Sequence, residues 1–114
     1  MSILSIVKIV FAIATIAIGL LAFVRPASVT RLTGLVMPGP RAVSEVRASL
    51  GGLFIGLGVA PLIYPIPAAY HVLGLGYAAA GAARLFSIIV DKSTERTNLI
   101  FLASEIVFAV VLLL

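Results

Sequence analysis

The chain has 114 residues, of which 62% are hydrophobic and 11% are charged, and it contains no cysteine. A soluble domain carries about twice this share of charged residues, so the composition excludes an ordinary soluble domain. The net charge of +4 is spread over connections and helix ends, without the dense basic patch of a nucleic-acid-binding protein.

Four apolar blocks follow one another along the chain. The first runs from about Ile3 to Val24 and the second from about Ala48 to Tyr64. The third runs from about Ala68 to Val90 and the fourth from about Asn98 to Leu114. A membrane-spanning helix needs about 20 apolar residues, and no alternating strand pattern is present. We therefore predict an all-α fold, a transmembrane four-helix bundle that forms a single domain over residues 1–114.

The connections between the blocks predict how the chain lies in the membrane. Residues 25–44 include a short segment with an apolar face, which predicts a helix lying in the membrane interface. That face consists of Val29, Leu32, Leu35 and Val36, opposite Arg31 and Thr33. The first and third connections together hold five of the eight Lys and Arg residues. The positive-inside bias then places both connections in the cytoplasm and both termini outside.

Small residues recur along three of the blocks and predict where helices pack closely. The first block has them in a three-four rhythm, at Ala12, Thr15, Gly19 and Ala22. The second block has them at every fourth position, at Ala48, Gly52, Gly56 and Ala60. The third block repeats this spacing at Gly74, Ala78 and Ala82. Close helix contact is a more economical interpretation of these stripes than a ligand groove.

Four charged residues are predicted to form a buried polar cluster in one half of the membrane. Arg84 and Glu105 lie at matched depth on the third and fourth blocks, about 10 Å from the polar connection between them. Glu45 and Arg47 stand at the start of the second block. Because charge inside a bilayer is costly, Arg84 needs a partner, and Glu105 is the nearest candidate. The cluster either fixes helix register or binds a head group, quinone, proton or anion, and we favour the first interpretation.

The remaining polar residues give weaker signals. Lys8 is expected to extend toward the outer interface, and His71 is a single imidazole at the outer membrane edge. Without cysteine or a second histidine, no transition-metal site is predicted. No nucleotide-binding loop or catalytic triad pattern is present, so we predict no catalytic residues and no cofactor.

The glycine-rich sequence resembles a known family of small bacterial membrane proteins. The shared features are the Glu45-x-Arg47-Ala48-x-x-Gly51-Gly52-x-x-x-Gly56-x-Gly58 run, the Gly81-x-x-Arg84 sequence and Glu105. That family is uncharacterised and is similar to the wider DoxX-like group of four-helix proteins. The wider group includes subunits of a thiosulfate:quinone oxidoreductase and membrane chaperones for receptor assembly. The resemblance implies the fold and a bacterial inner-membrane location more than an activity.

Three functions remain open from the sequence. We favour a non-enzymatic accessory subunit or assembly factor, packed in a larger membrane complex or a homo-oligomer. The first alternative is a quinone- or lipid-binding subunit of a membrane oxidoreductase, with Arg47, Arg84 and Glu105 at a polar head group. The second is a small transporter or proton path. Expected partners are membrane lipids and other membrane subunits, and no nucleic acid.

Overall fold

A computed structural model of the chain describes residues 2–114, and these residues form helices joined by short connections. The helices are α1 (Ile3–Val24), α2 (Pro26–Thr33), α3 (Pro40–Ile63), α4 (Pro67–Val90) and α5 (Arg96–Leu113). All except α2 are long and apolar enough to cross a membrane. No strand occurs in this described range. The all-α class, the four candidate spans and a short helix between the first two are confirmed.

Proline and glycine set the ends of several helices. Proline is the first residue of α2, α3 and α4, where its missing N–H would have no helical acceptor. Helix α3, which contains the predicted second block, therefore begins at Pro40 and not at about Ala48. Helix α2 ends at Thr33, because Gly34 adopts a left-handed conformation with φ of 78°. Leu35 and Val36 consequently lie outside the helix, so the predicted apolar helical face was too long.

Helix α3 is not uniform along its length. It is α-helical over Pro40–Glu45, π-helical over Val46–Gly52 and α-helical again over Leu53–Ile63. A π-helical turn contains more residues than an α-helical turn, so it changes which side chains share a face. The predicted stripe of α3 assumes α-helical periodicity throughout. That assumption does not hold over the π-helical part, Val46–Gly52.

Contacts divide the chain into two compact units, which are described separately. The amino-terminal unit comprises residues 9–65, and the hairpin unit comprises residues 66–114 with residues 2–8. Single-domain organisation over residues 1–114 stays a prediction.

In the amino-terminal unit, α1 and α3 approach until their backbones touch. A Cβ added to Gly58 would lie 2.7 Å from the Ala12 carbonyl oxygen. A Cβ added to Gly19 would lie 2.7 Å from the Gly51 carbonyl oxygen. Real Cβ atoms do not approach a carbonyl this closely, so glycine is required at both positions. The predicted face of α1, formed by Ala12, Thr15, Gly19 and Ala22, is buried as expected.

The predicted packing face of α3 is not the face that meets α1. Gly52 and Gly56 are exposed, and a Cβ at Gly56 would meet no atom within 4 Å. Ala48 is also exposed and Ala60 is half-buried, whereas Gly51 and Gly58 are the buried glycines. Residues four apart drift by about 40° per step around an α-helix, while a three-four rhythm stays on one face. The α3 stripe already lies beside the buried face at Gly52, one residue from Gly51, and its four-residue steps do not bring it back to that face.

In the hairpin unit, α4 and α5 pack antiparallel through small and aromatic residues. A Cβ at Gly74 would lie 3.0 Å from Leu112, and the Tyr77 and Phe108 rings meet edge to face at 5.0 Å. Gly74 is buried, as predicted, whereas Ala78 is half-buried and Ala82 is exposed. The buried face of α4 therefore continues through Gly81 rather than through Ala82, because residues four apart drift by about 40° per step.

Candidate functional site

The candidate site begins on the packed face of α4. Gly74, Tyr77, Gly81 and Arg84 follow one another at spacings of three and four, so they share one face of the helix. Gly81 is buried and lies opposite Glu105, whose Cβ would be 3.6 Å from a Cβ at that position. The absence of a side chain at Gly81 thus leaves room for the carboxylate beside Arg84.

Arg84 binds Glu105 with two parallel hydrogen bonds. Arg84 Nε donates to Glu105 Oε1 at 2.6 Å, and Nη2 donates to Oε2 at 2.9 Å. This fork matches a planar guanidinium to a planar carboxylate, the geometry of the stronger charge-assisted hydrogen bonds. The predicted pairing of Arg84 with Glu105 across α4 and α5 is present.

The pair extends toward the connection between the two helices. Arg84 Nη1 donates to Asn98 Oδ1 at 2.8 Å. The Asn98 amide in turn donates to the carbonyl oxygen of Ser93 at 2.8 Å and to its hydroxyl at 3.0 Å. A continuous polar chain therefore runs from the connection, through Asn98 and Arg84, to Glu105.

An aromatic ring adds a further contact to the guanidinium. The Arg84 Cζ atom lies 5.4 Å from the centroid of the Phe101 ring, within the range of a cation–π interaction. The Arg84 side chain is 29% exposed and that of Glu105 is 13% exposed. The pair is therefore largely shielded by protein, and its strength depends on geometry more than that of a surface ion pair does.

An open depression lies beside the guanidinium. Its volume is about 320 Å³ and it is lined by Ala80, Ala83, Arg84, Ser87, Ser93 and Asn98. Arginine has five N–H donors, and the contacts to Glu105 and Asn98 use three of them. The site can therefore hold two helices together, and it can also offer hydrogen bonds to an acceptor that enters the depression.

The other two members of the predicted cluster are not buried. Glu45 and Arg47 belong to the amino-terminal unit and both are exposed. Arg47 Nε donates to the Phe23 carbonyl oxygen at 3.0 Å. Phe23 lies in the last turn of α1, where carbonyls lack helical partners and a positive charge is favourable. The predicted burial of Glu45 and Arg47 is wrong, because α3 begins with polar turns before its apolar part.

The weaker candidates also have defined surroundings. Lys8 Nζ lies 6.0 Å from the centroid of the Tyr70 ring, which is within the hairpin unit. His71 is half-buried on the first turns of α4. Among residues 2–114, no group of three His, Asp or Glu side chains is arranged to hold a metal ion.

Asn98, Phe101 and Ser93 belong to the site but were not predicted. The sequence holds a signal for the first two. Asn98, Phe101 and Glu105 are spaced by three and four residues and so share one face of α5. Once Glu105 is chosen as a buried acid, this spacing identifies the other two. Ser93 acts partly through its backbone carbonyl, and a backbone contact of this kind leaves no mark in the residue pattern.

Four candidate spans with an internal arginine–glutamate pair define the class of protein, an all-helical multi-span membrane protein. The chain belongs to the family described as a domain of unknown function, DUF4345, whose family model matches residues 3–114. No curated protein and no solved structure matches the chain.

Proposed function

We propose that the protein is a non-enzymatic accessory subunit or assembly factor, which packs through its helices against a second copy or another membrane protein. The observation that carries this proposal is the set of glycines without contacts. A Cβ added to Gly56 on α3 or to Gly76 on α4 would meet no atom within 4 Å. Small residues in a membrane favour close helix association, so an open glycine supports an external helix partner.

The hydrogen bonds of the charged groups within the helices support a structural role for these groups. Three Arg84 donors are bonded to Glu105 and Asn98, and Arg47 is bonded to the end of α1. In the range that the structure describes, no buried side-chain nitrogen or oxygen lacks a hydrogen-bond partner. A catalytic or proton-carrying group typically needs an environment that leaves it free to react or titrate. The likeness to DoxX-like proteins, some of which are subunits or chaperones, points the same way.

A single introduced cysteine tests the proposal, because the natural chain has none. Gly56→Cys places the thiol on the open face of α3. Ile63→Cys is the matched control, on the same helix and 63% exposed. We expect a bifunctional thiol cross-linker in native membranes to join Gly56→Cys chains to a second copy or a stoichiometric membrane protein. The Ile63→Cys chains should not be joined, and adding Gly52→Leu should suppress the Gly56→Cys product.

The contrary result is equally specific. The subunit proposal would be excluded by two results together. Gly56→Cys would be recovered only as the uncross-linked chain, and each native lipid disc would hold a single copy of the chain. Equal cross-linking at positions 56 and 63 would also oppose it, because that result indicates random encounters rather than a packed face.

A second candidate function is supported by the depression beside Arg84. Its volume of about 320 Å³ and the two unused N–H donors suit the carbonyl head of a quinone or the polar head of a lipid. The exposed Ala80 and Ala83 beside the guanidinium leave room for a flat ring. In this alternative the protein is the ligand-holding subunit of a membrane oxidoreductase.

Extraction of the purified protein separates this alternative from the first. A quinone retained at one per chain by the natural protein and lost in Arg84→Leu, but not in Arg47→Leu, would support it. If the natural protein retains no quinone when prepared from quinone-containing membranes in mild detergent, the alternative is excluded.

The orientation in the membrane is part of the proposal. With both termini outside, the connection that contains Ser93 lies in the cytoplasm, as the charge bias predicts. Labelling of Ser93→Cys by a membrane-impermeant reagent should require permeabilised cells, whereas Ser2→Cys should react in intact spheroplasts. The opposite pattern would invert the topology.

A further inference from the structure

The segment between α1 and α3 contains both buried and strongly exposed residues. Val29 of α2 is buried with Ala22 of α1 and Val46 of α3, and Met37 packs against the same group. Pro26 at the start of α2 is also buried. The segment is therefore packed against the ends of α1 and α3 through these residues.

The exposed residues of the segment are both apolar and positively charged. Leu32 and Leu35 are each 52% exposed, and Val36 is 82% exposed. Three arginines on the segment are exposed as well, and among residues 2–114 none of them is in an ion pair. They are Arg25, Arg31 and Arg41. Neither water nor the hydrocarbon interior suits this combination, but the boundary of phospholipid head groups and acyl chains does.

We propose that the exposed surface formed by Arg25, α2 and the residues up to Arg41 binds anionic phospholipid. The arginines neutralise the lipid phosphates, and Leu32, Leu35 and Val36 contact the upper part of the acyl chains. The proposal goes beyond the subunit role, since it concerns lipid and not a protein partner.

Charge complementarity selects the anionic lipid as the occupant. Residues 25–45 contain three arginines and a single acid, Glu45. The connection between α4 and α5 differs, because Lys92 and Arg96 lie beside Asp91 and Glu95 and are balanced by them. Only the first connection therefore presents an excess of positive charge. An anionic leaflet attracts such a segment by roughly fivefold in affinity per basic residue.

A depression beside Arg41 provides room for a head group. It measures about 530 Å³ and is lined by Pro38, Gly39, Pro40, Arg41, Ala42 and Glu45. Pro38 and Pro40 restrict the backbone on either side of Gly39. A phosphate in this depression would lie next to the Arg41 side chain.

Native mass spectrometry with defined lipids tests the proposal. Phosphatidylglycerol and phosphatidylcholine are titrated separately onto the delipidated protein in a non-ionic detergent. We expect the natural chain to prefer phosphatidylglycerol. Each of Arg25→Gln, Arg31→Gln and Arg41→Gln should lower that preference roughly fivefold, and the triple variant should abolish it. The double variant Lys92→Gln with Arg96→Gln is the control and should keep the preference.

Two further measurements use other parts of the proposal. Leu35→Ser with Val36→Ser should weaken binding of phosphatidylglycerol while leaving soluble glycerophosphate unaffected, because only the lipid has acyl chains. Raising the salt concentration should remove the preference of the natural chain, since exposed charges are screened.

Any of three results would overturn the proposal. One is a triple variant that keeps the natural preference for phosphatidylglycerol. Another is a control variant that loses as much preference as the triple variant, which indicates net charge without a local site. The third is a natural chain whose preference does not change with salt, a measurement that requires no variant to fold.

Discussion

The two units join their helices by different physical means. In the amino-terminal unit, α1 and α3 meet backbone to backbone at Gly19, Gly51 and Gly58. In the hairpin unit, α4 and α5 also use a glycine contact at Gly74, but they add the Arg84–Glu105 pair. Apolar burial cannot hold helices together in lipid, so either close packing or polar bonding must contribute. The comparison shows both solutions in one short chain.

The two solutions should respond differently to substitution. A glycine contact fails when volume is added, because the opposing atoms belong to backbone and cannot rotate away. A paired charge fails when one partner is removed, because the other is left without compensation. Variants that add volume and variants that remove charge therefore separate the two units.

The largest effect is expected from adding volume at Gly58. Its Cβ would lie 2.7 Å from the Ala12 carbonyl oxygen and 2.7 Å from a carbon of Ile16. Gly58→Leu should therefore cost more than the about 1–3 kcal/mol of ordinary overpacking, and little folded protein should be recovered. Yield and thermal unfolding in detergent measure the effect.

Gly56→Leu is the matched control for this prediction, two residues away on the same helix. A Cβ at Gly56 meets no atom within 4 Å, so the isolated chain should keep its thermal stability. Equal losses in Gly56→Leu and Gly58→Leu would show that the face of α3 toward α1 is assigned incorrectly.

A smaller effect is expected when Arg84 is replaced by lysine. Lysine keeps the charge but cannot form the fork with Glu105 and at the same time reach Asn98. Arg84→Lys should lower the free energy of unfolding by about 1.5–3 kcal/mol, the contribution of a hydrogen bond to a charged group. Reversible unfolding in mixed detergent measures this value, and stability equal to that of the natural chain would show that the fork is not required.

The smallest effect is expected at Arg47, which makes a single exposed hydrogen bond to the end of α1. Arg47→Gln should cost about 0.3–1 kcal/mol, the usual contribution of a positive charge at a helix C-terminus. Arg41→Gln, an exposed arginine without such a bond, is the control and should leave stability unchanged. A larger loss at Arg41 than at Arg47 would contradict the capping role.

The sequence was sufficient to predict the fold and the buried face of α1, but not the buried faces of α3 and α4. Apolar block length located the four spans, and the three-four rhythm of α1 identified its buried face. The strict four-residue stripes of α3 and α4 do not follow the faces that meet α1 and α5, and nothing in the residues signals the π-helical turns from Val46 to Gly52. The predicted partnership of Arg84 and Glu105 followed from depth and chain adjacency alone.

Other parts of the site had no readable signal. The hydrogen bond from Arg47 to Phe23 depends on a backbone carbonyl, which every residue carries. The exposure of Glu45 depends on where α3 begins, and the apolar pattern placed that start too late. Contacts to backbone and shifts in helix start therefore limit what residue types alone can predict.

The central claim is that Arg84 and Glu105 hold α4 to α5 as a structural pair, and a double-mutant cycle tests it most directly. Glu105→Leu alone leaves the arginine, which is 29% exposed, without its partner and should cost less than the about 3–5 kcal/mol typical of a fully buried pair. Arg84→Leu with Glu105→Leu should recover part of this loss, giving a clear coupling energy between the two positions. Additive losses, with the double variant less stable than the natural chain by the sum of the two single losses, would contradict the claim.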